Sequence, residues 1–524
     1  MTEKNSAYQF RTGRIVRLWL LFFTLLSYPF LSLLWRHGYP VFSAEAMLFL
    51  FFLISVSLVV ATLAAASRTR VANAIIALSL TLILILQFNL LFEQAAILLL
   101  VTGLLALFSG EKFGQLSIAV TLALIIGAYA DARFDKARSR SPETLPEQQP
   151  GLPIVVHIML DGFIGMDGLP PQDQPQAFRS SALEFLEGNG FEVFTKAYSR
   201  YHTTQDSLLH AFSFTNDGDS LALQAEVLHE KLKVGKNRYF DLLVENGYSL
   251  NIYQSELVEF CAAVPKSSGR CMTYRAPSLN SLRLNASSAW VRLKVLANHL
   301  FSQSYIIHSF LEKRGWIQNW GVVYYDPGII DEIGDDLERF RSGAYFAHLL
   351  LPHAPFVFQN DCSVNYDSNV WPGESTPGLS ANTVHSRAGR YLRYLPQAAC
   401  ALAELRRLFN RMRELGLYDE AIIVVHGDHG SRISLHSAHL QNRDVLSPED
   451  FRDIYSVLFA IKLPGKEFEN PSATMALDVL LKKTAREIIG EGQGLSEQEE
   501  ESPFIYLYGQ LPLYRVNVDI FEEQ

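Results

Sequence analysis

Asp428 and His429 stand side by side just after a run of β-branched and apolar residues, in the stretch Ala421 to Arg432, which reads AIIVVHGDHGSR. The run from Ile422 to Val425 predicts a short strand buried on both faces, as parallel strands in α/β proteins are. Ligands of such sheets bind beyond the carboxyl ends of the strands. A carboxylate and an imidazole placed there, between two glycines that are expected to let the backbone turn tightly, can bind one cation. The alternative interpretation is a polar turn, and the other segments decide between the two.

A second carboxylate, Asp161, directly follows a second run of this kind. Residues 154 to 160 read IVVHIML and predict another buried strand. We therefore expect Asp161 to lie near Asp428, at the end of a neighbouring strand. His157 falls within the run, and we interpret it as a hydrogen-bonded core residue and not as a ligand, because buried histidines are usually structural.

Hydroxyl side chains cluster at the predicted start of a helix. Thr203, Thr204 and Ser207 surround the point where an apolar helical pattern begins. A helix N-terminus attracts anions, because its free N–H groups and its dipole point at them. Plain capping of the helix is the alternative. With two carboxylates and His429 nearby, a hydroxyl here becomes a candidate metal-activated nucleophile.

Two histidines accompany a third strand-like run, in residues 344 to 358, which read AYFAHLLLPHAPFVF. His348 lies within the run, and His353 follows between prolines that hold an extended loop. Such histidines can be metal ligands, phosphate donors or the proton source for a leaving group. We interpret His436 and His439, farther along the chain, as solvated loop residues, with the lining of a substrate cleft as the alternative.

Alternating helix and strand patterns position these side chains. A helix is predicted near Ala182 to Leu186, and a long amphipathic helix from Ser386 to Leu415 ends at Gly416 and leads into the Ile422 strand. This step from helix to strand is typical of a doubly wound sheet. The predicted fold class is an α/β soluble domain with a central, mostly parallel sheet between helices.

The chain has 524 residues, of which 49% are hydrophobic. Nearly all of the excess of hydrophobic residues lies in the N-terminal 130 residues. Five apolar runs cover residues 15 to 35, 44 to 66, 71 to 92, 95 to 109 and 115 to 130. Most are long enough to cross a hydrocarbon core of about 30 Å. Buried core helices are the alternative for the shorter fourth and fifth runs. We predict a transmembrane anchor domain of five helices over residues 1 to 130.

Basic residues orient the anchor. The first run lacks a small-residue cleavage site, so it is predicted to be retained. By the positive-inside rule, the cytoplasmic side carries Lys4, Arg11, Arg14, Arg17, Arg68, Arg70 and Lys112. An odd number of spans then places the rest of the chain outside the cytoplasm. Residues 131 to 152, rich in proline, glutamate and glutamine, predict a linker, and residues 153 to 524 form the soluble domain.

Charge and cysteine content exclude some classes of protein. The net charge of −9 and the lack of a glycine-rich phosphate loop argue against a nucleic-acid partner. Four cysteines are too few for a disulfide scaffold. Cys261 and Cys271 lie close in sequence around a proline and a glycine, so we predict a disulfide between them in an oxidising compartment. Cys362 and Cys400 receive no assignment.

These motifs together resemble the alkaline phosphatase superfamily, specifically its sulfatase-like branch. The five-span anchor with its tether is similar to that of lipid A phosphoethanolamine transferases and lipoteichoic acid synthases. The resemblance covers the architecture of the whole chain, while the motifs occupy about five short patches. It implies an alkaline-phosphatase-like soluble domain in which one divalent metal is bound by Asp161, Thr204, Asp428 and His429.

The resemblance also implies catalytic roles. Thr204 is preferred over Thr203 as the nucleophile, because the nucleophile of this family is usually followed three positions later by serine, here Ser207. The histidine pair of the transferases, spaced by five, is matched by His348 and His353. Two departures exist: Asp161 stands where the transferases have glutamate, and the residues around Thr204 lack the convertible residue, proline and arginine of classical sulfatases.

The predicted function follows from this resemblance. A divalent metal, Zn²⁺ first and Mn²⁺, Mg²⁺ or Ca²⁺ as alternatives, would activate Thr204 for attack on a phosphodiester. Membrane lipids are the expected donor, and water or an envelope lipid or glycan the acceptor, on the outer side of the cell membrane. Hydrolysis and transfer both stay open, and no oligomeric state is indicated. The alternatives are a sulfuric ester hydrolase and a catalytically inactive, lipid-binding membrane sensor.

Overall fold

The structure is a computed structural model, and two compact units can be recognised in it. One comprises Met1–Arg138 and Asn285–Trp320, and the other Ser139–Leu284 and Gly321–Gln524. The residues that it describes are 2–37, 39–88, 92–108, 113, 115, 117, 119–120, 122–124, 126–127, 151–219, 232–234, 237–255, 258–263, 269–274, 289–312, 314, 325, 328–363, 365, 383–465, 473–491, 502–509 and 511–522.

The helices are labelled in chain order. They are α1 (Thr2–Arg36), α2 (Ala44–Ala66), α3 (Thr69–Phe88), α4 (Phe92–Phe108), α5 (Asp173–Gly188), α6 (Thr204–Ser213), α7 (Arg238–Glu245), α8 (Ala289–Ser302), α9 (Tyr305–Glu312), α10 (Gly328–Phe340), α11 (Val384–Glu414), α12 (Pro448–Tyr455) and α13 (Leu477–Ile488). The predicted helices at 182 to 186 and 386 to 415 correspond to α5 and α11.

The N-terminal helices match the predicted apolar runs. Among the described residues, three helical segments are long and apolar enough to cross a membrane: Gly13–Arg36, Ala44–Ala66 and Thr69–Leu86. A fourth, Glu93–Phe108, is shorter. Most of the predicted fifth run lies outside the described residues, so the five-span anchor stays a prediction. The chain is nevertheless a membrane protein by the length and composition of these helices.

The strands build one large sheet and several small ones. They are β1 (Val155–Leu160), β2 (Glu192–Val193), β3 (Ala197–Tyr198), β4 (Leu232–Lys233), β5 (Leu250–Ser255), β6 (Val258–Glu259), β7 (Gly269–Tyr274), β8 (Ala344–Leu349), β9 (Ile422–Gly427), β10 (Phe459–Lys462), β11 (Met475–Ala476), β12 (Phe504–Leu507) and β13 (Tyr514–Asn517). The large sheet has the order β2-β10-β9-β1-β8-β5-β7 in the described part of the chain. It is parallel from β9 to β7 and antiparallel at β10 and β2, as the mostly parallel prediction requires.

The central strands of this sheet are buried along their whole length, as expected for a sheet with helices on both faces. Alternate residues of β1, such as Val155 and Met159, pack in a core with side chains of α6, α7 and α13. The intervening residues point to the opposite face. On that side α11 contacts both α5 and α10. His157 is buried on the first face, with its Nδ1 2.9 Å from the hydroxyl of Tyr239, which confirms its structural role.

Both cysteine pairs of the soluble unit form disulfides. The predicted bond between Cys261 and Cys271 is present, and a second bond joins Cys362 to Cys400. The second pair links the loop that follows β8 to α11. Covalent closure of such loops restricts the unfolded chain and thereby stabilises the folded one.

Candidate active site

The ends of three parallel strands bring the predicted side chains together. In the register of the sheet, Leu160 of β1 lies opposite Gly427 of β9, so the residues that follow them, Asp161 and Asp428, emerge side by side. On the other side of β1, Met159 pairs with His348 of β8. The site therefore occupies the carboxyl edge of the sheet, where ligands of α/β proteins bind.

The two glycines that flank the Asp-His pair are required by close backbone packing. A Cβ atom on Gly427 would lie 2.3 Å from the carbonyl oxygen of Phe163, and one on Gly430 would lie 2.3 Å from that of Asp453. Neither glycine has a positive φ. Their role is thus to admit neighbouring chain segments and not, as the sequence suggested, to permit an unusual turn.

Four side chains meet in this space. The Nε2 atom of His429 lies 3.5 Å from a carboxylate oxygen of Asp161, 3.4 Å from one of Asp428 and 3.2 Å from the Thr204 hydroxyl. Ligand atoms of Asp161, Asp428 and His429 all lie within 4.8 Å of one another. Each of the three is buried. This is the proximity that a shared cation requires.

The hydrogen bonding of the carboxylates fits a cation. Asp161 Oδ1 and Asp428 Oδ2, the oxygens closest to His429, have no hydrogen-bond partner among the described residues. Their other oxygens are held: Asp428 Oδ1 accepts the N–H of Gly162 at 2.8 Å, and Asp161 Oδ2 is 3.2 Å from Nε2 of His348. Buried carboxylate oxygens left unpaired are costly unless a metal or a proton satisfies them. The residues present therefore fit a divalent metal.

The electrostatics of the site also fit a bound divalent metal. Burial, and then the neighbouring Asp161, raise the pKa of Asp428. Burial also opposes ionisation of Asp161, but His353, His348 and His429 outweigh it and hold the pKa of Asp161 below its ordinary value. Burial lowers the pKa of the His429 imidazole, which keeps it neutral. Two carboxylates beside a neutral imidazole repel each other, and a bound cation relieves that repulsion.

The two threonines are distinguished by their surroundings. Thr203 is the N-cap of α6, and its side chain accepts the N–H of Asp206 and lies 3.0 Å from the hydroxyl of Tyr508. Thr204 is the first residue of the helix and is the one that reaches His429. Thr204, at the N-terminus of α6, is therefore the threonine that lies in the site with His429.

The two predicted histidines occupy different positions. His348 is fully buried within β8, where it holds the Asp161 carboxylate from behind. His353 is half-buried and lines a small pocket together with Gly162, His429 and Arg432. Only His353 of the pair faces the space that a substrate can enter.

Arg432 is a site residue that the sequence analysis did not single out. It lines the same pocket, its Nε donates to the carbonyl of His202 at 2.8 Å, and its N–H donates to the carbonyl of Asp453 at 2.9 Å. Its backbone is left-handed, with φ of 55°, which is uncommon for a residue other than glycine. A guanidinium held in this way provides donors for a phosphate.

Two further side chains support the ligands, of which Ser207 was named from the sequence and Tyr394 was not. Tyr394 of α11 donates to the carbonyl of Gly162 at 3.0 Å and accepts the N–H of Ile164 at 2.9 Å, which fixes the turn after β1. Ser207 donates its hydroxyl to the carbonyl of Asp428. These contacts hold Asp161 and Asp428 in place from two sides.

The histidines beyond the Asp-His pair lie in a loop, as predicted. Nδ1 of His436 is 3.0 Å from the buried Asp450, which also accepts the N–H groups of Leu435 and His436. His439 is half-buried, with its ring 6.2 Å from that of His202. His436 therefore organises the loop.

Comparison with known proteins gives distant similarities. No family model matches the chain. Over 165 residues it is 27% identical to a lipoteichoic acid synthase from Staphylococcus saprophyticus. The matched stretch covers 28% of this chain and 23% of that protein.

Solved structures of similar fold cover more of the chain. The C-terminal periplasmic domain of EptC from Escherichia coli, in complex with zinc, is 11% identical with a TM-score of 0.43, covering 71% of this chain and 96% of its own. The lipooligosaccharide phosphoethanolamine transferase EptA from Neisseria meningitidis, an integral membrane protein, is 13% identical with a TM-score of 0.38, covering 91% of this chain and 96% of its own. The expected resemblance to lipoteichoic acid synthases is borne out over the matched 165 residues.

Proposed function

We propose that this chain is a membrane-anchored, metal-dependent enzyme that cleaves or transfers phosphodiester head groups of cell-envelope lipids or glycans through the Thr204 hydroxyl. One observation carries the proposal. Thr204 lies at the N-terminus of α6, 3.2 Å from the imidazole nitrogen that faces the unpaired oxygens of Asp161 and Asp428. A nucleophile, a ligand set and an anion-attracting helix end thus converge.

The ligand set would comprise Asp161, Thr204, Asp428 and His429. Three oxygens and one nitrogen suit Zn²⁺, with Mn²⁺, Mg²⁺ or Ca²⁺ as alternatives. When bound, the metal would supply Lewis acidity that lowers the pKa of the hydroxyl. His348 would orient the Asp161 carboxylate, in the way that outer residues orient metal ligands.

The remaining residues would act on the substrate. Thr204 Oγ1 gives its proton to water and forms a bond to phosphorus as the bond from phosphorus to the leaving oxygen breaks, and His353 gives that oxygen a proton. The Arg432 guanidinium and the N–H groups of α6 bind the other phosphate oxygens. Water or a second alcohol then removes the phosphoryl group from Thr204, which gives hydrolysis or transfer.

The proposed location is the cell membrane, with several spans and the soluble unit outside the cytoplasm. The distribution of basic residues around the apolar helices supports it. The two disulfides support it as well, since such bonds persist in oxidising compartments.

Metal content and turnover, measured together in single-residue variants, test the proposal. Asp428→Ala and His429→Ala remove ligands, so both bound metal and turnover of a chromogenic phosphodiester should fall. Thr204→Ala deletes the nucleophile but leaves three ligands, so metal should remain while turnover falls by several orders of magnitude.

Thr203→Ala is the matched control, since it changes the neighbouring threonine outside the ligand set. It should keep metal and turnover, at a cost of about 1 kcal/mol in stability from the lost cap. Activity retained by Thr204→Ala and lost in Thr203→Ala would assign the nucleophile to Thr203. Activity retained by both variants would refute a covalent mechanism, and a wild-type chain that binds metal without turning over any phosphodiester or sulfate ester would indicate a sensor.

A further inference from the structure

A pair of short helices belongs to the apolar unit although it comes from the middle of the soluble sequence. Helices α8 and α9 follow β7 in the chain, yet they group with the N-terminal helices. Helix α8 packs against α1 and α2. Nε of Arg292 on α8 lies 3.0 Å from a carboxylate oxygen of Glu45, which is buried in the first turn of α2. An ion pair of this kind holds α8 beside the end of an apolar helix.

The outward surface of α8 and α9 has a distinctive composition. Among the described side chains from 289 to 314, those classed as exposed are Trp290, Lys294, Phe310 and Arg314. Trp290 is 61% exposed and Phe310 is 48% exposed. Each aromatic residue is followed four positions later by a cation. The other side chains of both helices that the structure describes are buried or half-buried, so the exposed rings are not part of an unfolded segment.

The cations lie over the rings. Nζ of Lys294 is 5.8 Å from the centroid of Trp290, and Cζ of Arg314 is 3.9 Å from that of Phe310. In water an exposed ring gains little from this arrangement. At a membrane surface, aromatic rings sit at the level of the head groups, and long basic side chains place their charges at the lipid phosphates.

The position of these helices matches that environment. Glu45 lies in the first turn of the apolar helix α2, and in the connection before this helix Phe42 is 89% exposed and Ser43 is polar. The start of a spanning helix marks the boundary between hydrocarbon and head groups. Because α8 is held at this boundary, its exposed ring and cation lie at the depth that interfacial residues occupy.

We propose that α8 and α9 form an interfacial anchor, in which the pairs Trp290–Lys294 and Phe310–Arg314 contact lipid head groups. The occupant of this surface is a lipid bilayer, recognised by ring burial at the head-group level and by cation contacts to phosphate. The anchor does not depend on the chemistry proposed for the soluble unit. Only its use in presenting lipid substrates rests on the proposed function.

Photocrosslinking in the full chain tests the anchor. Benzoyl-phenylalanine is placed at position 290 or 310, the protein is reconstituted in nanodiscs of phosphatidylethanolamine and phosphatidylglycerol, and adducts are identified by mass spectrometry. The control position is Leu392, an apolar residue of α11 in the soluble unit that is 56% exposed. Lipid adducts are expected at 290 and 310 and not at 392. Adduct levels at 290 and 310 that equal the level at 392, or adducts to protein in their place, would overturn the proposal.

A second measurement separates the anchor from the catalytic proposal. The double variant Trp290→Ala, Phe310→Ala should turn over a soluble chromogenic phosphodiester at the wild-type rate but a phospholipid donor several-fold more slowly. Equal loss with both substrates would contradict a role in lipid presentation. A wild-type chain inactive on both substrates would refute the proposed function, while the crosslinks would still decide the anchor.

Discussion

Arg432 joins the catalytic site to the loop that carries it. Its backbone N–H binds Asp453 and its Nε binds the carbonyl of His202, the residue just before the threonines. One side chain thus connects the segment after β9 with the segment before α6. The guanidinium lines the same pocket as His353 and His429, so it lies where the proposed substrate would place a phosphate.

Replacing Arg432 by glutamine should weaken substrate binding in the transition state while leaving the metal in place. A hydrogen bond to a charged group contributes about 1.5 to 3 kcal/mol, so kcat/KM should fall about 10- to 100-fold. Steady-state kinetics and metal analysis of Arg432→Gln check this. Arg443→Gln, on an exposed arginine that stacks on Tyr514, serves as the control and should leave kcat/KM unchanged. Unchanged kinetics in Arg432→Gln would remove this residue from the mechanism.

At the residue scale, local sequence predicted the proximity of the candidate ligands but not the residues that surround them. Asp161, Asp428 and His429 follow strand patterns directly, so strand ends predict their proximity. Arg432 lines the pocket and has a left-handed backbone, neither of which the letters GSR disclose. Likewise, nothing in the run containing His348 shows that this histidine lies behind a carboxylate and His353 faces the pocket.

The edge of the sheet contains a buried acid. Glu192 lies on β2, which pairs with β10, and its side chain is buried. Its Oε2 has no hydrogen-bond partner among the described residues. Burial raises the pKa of Glu192 to about 7. This folded-state pKa exceeds the value of 4.5 that the carboxyl has in the unfolded chain. The free energy of unfolding is therefore highest below pH 4.5 and falls as the pH rises through 7.

The variant Glu192→Gln should therefore be more stable than wild type at pH 8, by about 2 kcal/mol, and near wild type at pH 5. Thermal unfolding of the detergent-solubilised chain, followed by fluorescence across this pH range, measures the difference. Glu187→Gln, on the exposed surface of α5, controls for the loss of a negative charge and should show no such pH dependence. A stability gain that is the same at pH 5 and pH 8 would contradict the raised pKa.

Elements with strong patterns were predictable, whereas short and antiparallel ones were not. The buried runs of β1, β8 and β9 and the long amphipathic α11 could be read from periodicity. Strand β2 has two residues and pairs only through tertiary contact, so no local pattern reveals it. The contacts of Gly427 and Gly430 with other segments depend equally on the assembled sheet.

For the molecule as a whole, the sequence division at residue 153 did not anticipate that Asn285–Trp320 groups with the N-terminal helices. Helices α8 and α9 are amphipathic like other surface helices, and the packing of α8 on α1 and α2 could not be read from their sequence. The two disulfides differ in how far the sequence could predict them. The pair Cys261–Cys271 was predictable from spacing, but Cys362 and Cys400 are distant in sequence and required the fold.

The orientation of the chain in the membrane is testable by reporter fusions. A reporter joined after residue 150 should be active only outside the cytoplasm, because basic residues retain the N-terminus inside. A fusion within the Arg68 to Arg70 connection should show the opposite result and serves as the control. Activity of a cytoplasmic reporter at residue 150 would contradict both the orientation and the envelope substrate.

In the proposed mechanism, Thr204 forms a covalent bond to the phosphoryl group of an envelope lipid. Mass spectrometry of the peptide containing Thr203 and Thr204, after incubation of the full chain with envelope phospholipids and an acid quench, detects this bond. We expect a phosphoryl or substituted phosphoryl adduct that fragmentation assigns to Thr204 and that is absent from Asp428→Ala. An adduct on Thr203, or turnover of the lipid with no adduct on either threonine, would contradict it.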